Sequence, residues 1–165
     1  MDDRAVVATQ LGRPPRAFGR VMLRCPFGLP AVTEQRPYDE SGEPFPTTYY
    51  LTCPHLVTAV SRLEAAGGVE RWTAAANADP ILAESRARAD DEQRRIRRRL
   101  AGQARGRDGG ASLELGVGGS GRTGSLKCLH AHVAFALACP GYELGERMVE
   151  ELQPLWPRVC CTARG

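Results

Sequence analysis

A chain of 165 residues is long enough to bury a core without disulfide or metal staples. Its 22 basic and 19 acidic side chains leave a net charge of +3, and 42% of residues are hydrophobic, so no global field selects nucleic acid or a membrane surface. Every basic residue but Lys127 is an arginine. No basic start leads into an apolar stretch as in a secretory signal, and the longest uncharged run, Cys128 to Tyr142, is too short and broken to span a bilayer. The expected compartment is the cytosol, where thiols stay reduced; the six cysteines then read as metal or catalytic groups rather than bridges.

In chain order, Asp2 to Leu11 predicts a short helix with acidic residues at its positive end and Gly12 at its stop. GRPPR is a break. Phe18–Leu23 and Ala31–Gln35 predict a strand pair around the turn CPFGLP, and Thr47–Thr52 predicts another strand after the loop DESGEPFP. Pro54 suits the first position of a helix capped by Cys53, with Leu56, Val60 and Leu63 on one face and Gly67-Gly68 at its end. A second helix is predicted from Asp79-Pro80 to about Ala101. Residues 102–124 read as a mobile Gly/Arg-rich connector with one short strand at Leu113–Val117. Ser125 is placed as the cap of a helix over Leu126–Ala138, and a last helix follows Gly145. The predicted fold is α+β: one predominantly helical domain, 1–153, with a small N-terminal β element and a flexible tail, 154–165.

The chemistry concentrates in RCPFGLP, TCPH and GSLKCLHAH, which hold all three histidines, each within four residues of a cysteine. Cys53 and Cys128 are placed at helix N-termini, where dipole and free N–H groups favour thiolate, and Arg24 and Lys127 push Cys25 and Cys128 the same way. With about 100° per residue, a regular helix from Leu126 sets Cys128 beside His132 and turns His130 roughly 160° away from His132. Cys25, Cys53 and Cys128 are therefore expected to converge on one ion, with His55 or His132 as fourth ligand. Lys127, His130 and Arg24 are placed around that set, Lys127 offsetting thiolate charge or holding an anionic substrate. Zinc is the expected ion; an iron–sulfur cluster held by three cysteines is the alternative. The bland account makes these thiols and imidazoles satisfied core groups. Cys139 reads as core, and Cys160 and Cys161 as an incidental tail pair.

Two further stretches carry weaker signals. The arginine-rich helix 80–101 offers an alternative function in nucleic-acid or protein binding. Its pairs Glu84–Arg88, Asp90–Arg94 and Asp91–Arg95 instead suit a solvated face, leaving Arg97 to Arg99 without local partners. GVGGSGRTGS, 116–125, precedes a helix and is considered for phosphate, but lacks the GK[ST] ending of a P-loop.

Together, LGRPPR, RCPFGLPAV, GEPFPTTYYLTCPHLVTAVSRLEAAGGV and LKCLHAHVAFALA resemble, in order and spacing, domain-of-unknown-function family 501 of high-GC Gram-positive bacteria. The resemblance runs from about Asp3 to Leu152. It implies that Cys25, Cys53, His55, Lys127, Cys128, His130 and His132 are characteristic positions. It also implies genomic neighbours resembling a septum-formation initiator and an exopolyphosphatase, a context pointing to envelope or polyphosphate metabolism. No reaction or partner follows from it.

Overall fold

The computed structural model describes residues 1–121 and 124–163. Arg122 and Thr123, inside the glycine-rich stretch considered for phosphate, lie outside the described residues, as do 164 and 165. Helix α1 (Asp3–Leu11) is capped by Asp2, whose carboxylate accepts from the N–H groups of Arg4 and Ala5, and ends at Gly12 in the left-handed region, φ 67. Three antiparallel strands follow in spatial order β1 (Phe18–Arg24), β2 (Pro30–Gln35) and β3 (Tyr49–Leu51). Their register pairs Val21 with Thr33 and Val32 with Leu51. β2, hydrogen-bonded on both edges, is buried along its whole length. The architecture is α+β and mostly helical, with the small sheet near the N-terminus.

Helix α2 (Pro54–Ala65) buries Leu56 and Val60, as its periodicity predicts. The Gly67-Gly68 pair does not end helical structure. Gly67, at φ 82, is the N-cap of a further helix, α3 (Gly68–Ala78), which the sequence reading does not assign. Gly68 sits where a side chain would meet the Leu63 carbonyl at 2.6 Å, so the close passage of the chain there requires glycine. Trp72 anchors α3, donating from Nε1 to Glu151 at 2.8 Å. Helix α4 (Pro80–Ala101) starts as predicted on an Asp79 cap.

The stretch 102–121, expected to be a mobile connector, packs against α4 (Pro80–Ala101) and the helix that follows it. Leu113 and Val117 are buried, and 3-10 turns at Ala111–Glu114 and Val117–Gly119 stand where a strand is predicted. Arg97, wholly buried on α4, organises it: Nε donates to the Ser112 carbonyl at 3.0 Å and Nη1 to the Phe45 carbonyl at 2.9 Å. Helix α5 (Leu129–Ala138) is the core helix, buried almost all round as its lack of ionic residues predicts. It packs between β3, α2 and α6 (Glu143–Glu151), with Phe135 edge-on to Tyr49 and to Tyr142. The expected tail is also in contact: Leu155, Trp156 and Cys161 pack against the core. No described helix is long and apolar enough to cross a membrane.

Candidate metal centre

α5 begins three residues later than predicted, and that displacement rearranges the histidines. Lys127 stands at φ 63, and the Cys128 N–H donates to the Leu126 carbonyl at 2.8 Å. An i to i+2 bond about a positive-φ residue is the rarer, strained form of γ-turn. Cys128 is thus extended, φ −145, and serves as the N-cap rather than lying within the first turn. The helical phase that would align Cys128 with His132 does not apply.

What meets Cys128 is His130, together with a residue the sequence reading passes over. The thiol of Cys128, a ring nitrogen of His130 and a carboxylate oxygen of Glu64 lie within 4.8 Å of one another; this is the one group of three or more such donors among the described residues. Val57, Ser61 and Glu64, at i, i+4 and i+7 of α2, form the face that receives the His130 ring. Glu64 Oε1 lies 3.2 Å from His130 Nδ1 and accepts from the Leu129 N–H at 2.7 Å. His130 Nε2 is 3.3 Å from the Val57 carbonyl and 3.2 Å from the Ser61 hydroxyl. Glu64 therefore does the capping at α5 that the Cys128 side chain does not.

Both ring nitrogens of His130 face oxygen acceptors, an arrangement that suits imidazolium. Its pKa is raised to about 9, first by the Cys128 side chain and, after the opposing effect of burial, by the Glu64 carboxylate. A divalent ion could take the place of that proton at Nδ1 and would leave Nε2–H on the Val57 carbonyl, the outer hydrogen bond typical of a ligating histidine. Thiolate, imidazole and carboxylate are the donor types zinc takes. Zinc 2.0–2.3 Å from each donor needs ligand atoms roughly 3.2–3.8 Å apart, so a side-chain adjustment of about 1 Å would bring these atoms to that spacing.

The other expected ligands lie elsewhere. His132 is wholly buried, with Nε2 3.2 Å from the Leu126 carbonyl and Nδ1 2.7 Å from the Tyr142 hydroxyl. A carbonyl only accepts, so the ring is the neutral Nε2–H tautomer taking a proton from Tyr142, and neither nitrogen is free for an ion. The histidine beside Cys128 is His130, and the one engaged in packing hydrogen bonds is His132. Leu126 O thus receives both the γ-turn bond and the His132 bond, and His132 holds the turn that presents Cys128.

Cys25 and Cys53 are not grouped with Cys128. Cys25 begins the β1–β2 turn, buried in the core, and Arg24 beside it is engaged by Asp3 at 2.8 Å and the Gly28 carbonyl at 3.1 Å. Cys53 caps α2 but its thiol packs 3.9 Å from that of Cys161. Burial pushes the Cys53 thiol up to about 11, outweighing the amide groups of Leu56 and His55 that act the other way. The helix-dipole expectation loses to desolvation there. His55 lines a separate cavity with Arg62 and Cys161. Exposed Lys127 reaches the Gly119 carbonyl at 3.4 Å.

Beside the cluster opens a cavity of about 300 Å³, with Cys128 and His130 in its wall and Tyr49, Leu51, Val57 and Ala131 around it. The arginine helix looks different from its sequence. Arg88 pairs with Glu84 as predicted, but Arg94 turns to Asp91 and Arg95 to Glu92, both at i, i+3. Asp90 is drawn away because its carboxylate accepts from the Val117 N–H at 2.8 Å. Arg98 pairs with Glu114, and Arg97 is internal. In the glycine-rich stretch, the N–H groups of Gly116, Val117, Gly119 and Ser120 are spent on Ser120, Asp90, Gly116 and Val117, leaving that part little to offer a phosphate.

Glu64 carried one readable signal. A carboxylate in the last turn of a helix opposes the dipole and calls for a partner outside it. No curated protein and no solved structure matches this chain. The family model described as protein of unknown function (DUF501) matches residues 21–150, a span that runs from within β1 into α6 and holds all three members of the cluster. The chain belongs to that family.

Proposed function

We propose that this chain binds a divalent metal ion, zinc, through Glu64, Cys128 and His130. The carrying observation is the convergence of three zinc-type donors from α2 and the α5 cap within 4.8 Å, with the remaining nitrogen of His130 set against the Val57 carbonyl. A single thiolate does not suit an iron–sulfur cluster, which takes three or four. Three protein ligands leave a fourth position open, the pattern of catalytic rather than structural sites. Bound there, zinc supplies a Lewis acid that lowers the pKa of a water or polarises a carbonyl.

The chain's own residues set the stage for that ion. The γ-turn at Lys127, pinned through Leu126 O by His132, aims the Cys128 thiol. Val57 and Ser61 fix the His130 ring, and the Leu129 N–H orients Glu64. Metal content of protein purified without added chelator tests the reading. The expected result is one zinc per chain in the parent and in Cys25→Ser and Cys53→Ser, and none in Cys128→Ser or His130→Ala. Zinc retained by the last two variants, or lost with Cys25 or Cys53, overturns it.

A further inference from the structure

The wall of the cavity beside the cluster is mixed but mostly apolar. Cys128 and His130 bring donor atoms to it, Thr47 and Tyr50 carry hydroxyls, and the remaining residues, Leu11, Leu51 and Val57 among them, are apolar. Tyr49 contributes only its ring, because its hydroxyl is turned to Cys139. At about 300 Å³ the space is at the small end for ligand sites, room for a short chain but not for a nucleotide or a peptide. Glu64 is absent from the wall, so an ion shared by the three residues meets the cavity on the side of Cys128 and His130.

Charge then selects the head group. A thiolate and a carboxylate together neutralise a divalent ion, and the histidine ligand adds nothing. An anionic fourth ligand would leave net negative charge beside a mostly apolar cavity, at a desolvation cost. A neutral oxygen does not.

Resting on the metal reading above, we infer that this cavity binds a small neutral carbonyl compound, an amide or ester with a short linear apolar chain. Its carbonyl oxygen takes the open position of the metal, and its chain lies among Leu11, Leu51 and Val57. The metal polarises the carbonyl and the cavity sets the chain length.

The test uses the full chain loaded with cobalt(II) in place of zinc, whose visible bands report a change of fourth ligand. Hexanamide, hexanoate and acetamide are titrated in turn. Hexanamide is expected to shift the bands and to bind on the order of 100-fold more tightly than acetamide, from four extra buried methylenes. Hexanoate is expected to bind at least tenfold more weakly than hexanamide. Leu51→Phe and Leu11→Trp, which narrow the cavity at residues outside the cluster, should each keep the cobalt spectrum and lose the hexanamide response. A chain that takes up no cobalt fails both readings. One that takes it up but shows no hexanamide shift, or prefers hexanoate, or keeps the parent's hexanamide response in the cavity variants, overturns this inference and leaves the metal reading standing.

Discussion

Acidification should unfold this protein partly through His132, and the size of the effect can be worked out. The imidazole is wholly enclosed, its Nε2–H given to the Leu126 carbonyl and its Nδ1 taking the Tyr142 hydroxyl proton. Burial depresses its pKa from 6.5 to about 4, against the raising effect of the Leu126 bond. In the unfolded chain the ring titrates normally, so between these values the unfolded state binds the proton and the folded state does not. The stabilisation is fully present above about pH 6.5 and lost as pH falls through about 4. At 1.36 kcal/mol per unit, the shift is worth about 3 kcal/mol, a sizeable share of the 5–15 kcal/mol that holds a typical domain. Urea denaturation of the parent and of His132→Gln at pH 7 and pH 4 isolates it, since every other group titrates in both. The parent should be the more stable at pH 7, with an advantage that shrinks by about 3 kcal/mol at pH 4. An advantage independent of pH would mean that the ring ionises normally, and the buttress under the Cys128 turn would be refuted.

Three further outcomes follow from particular contacts. Lys127→Gly should raise stability by about 1 kcal/mol, near 3 °C in melting temperature, because glycine carries no penalty at a φ of 63; a lower melting point would show that the γ-turn holds no strain. Arg97→Ala should cost at least about 3 kcal/mol in urea denaturation, since it strands the Phe45 and Ser112 carbonyls and opens a hole in the core; a loss under about 1 kcal/mol contradicts the anchoring of 102–121. Glu64→Leu should cost about 1 kcal/mol as a lost cap and also lower the His130 pKa by proton NMR, because the carboxylate holds it up; an unmoved titration would separate Glu64 from the imidazole.

The elements most legible in the sequence were those with strong local chemistry. Asp2 and Gly12 bound α1, Asp79 and Pro80 start α4, and the apolar spacing of α2 gives its buried face. α3 was hidden because a glycine pair reads as a stop, whereas here Gly67 turns the chain and the next helix starts at once. The candidate site was legible in its ingredients and not in its assembly. GSLKCLHAH holds two of the three clustered donors, but the neighbour of Cys128 depends on where the helix begins, and the positive-φ residue Lys127 sets that start. Glu64 comes from another helix, and no local period reports that α2 and α5 meet. Cys53 misled because a helix N-terminus lowers a thiol pKa only while the thiol keeps some water; buried against Cys161, it is pushed up instead.

X-ray absorption at the zinc edge of the metal-loaded protein tests the central claim most directly. It counts sulfurs around the ion without reference to any mutant. One sulfur near 2.3 Å, with nitrogen and oxygen at about 2.0–2.2 Å, is the expected shell for Cys128, His130 and Glu64. Two or three sulfurs would bring in Cys25 or Cys53, and contradict the account.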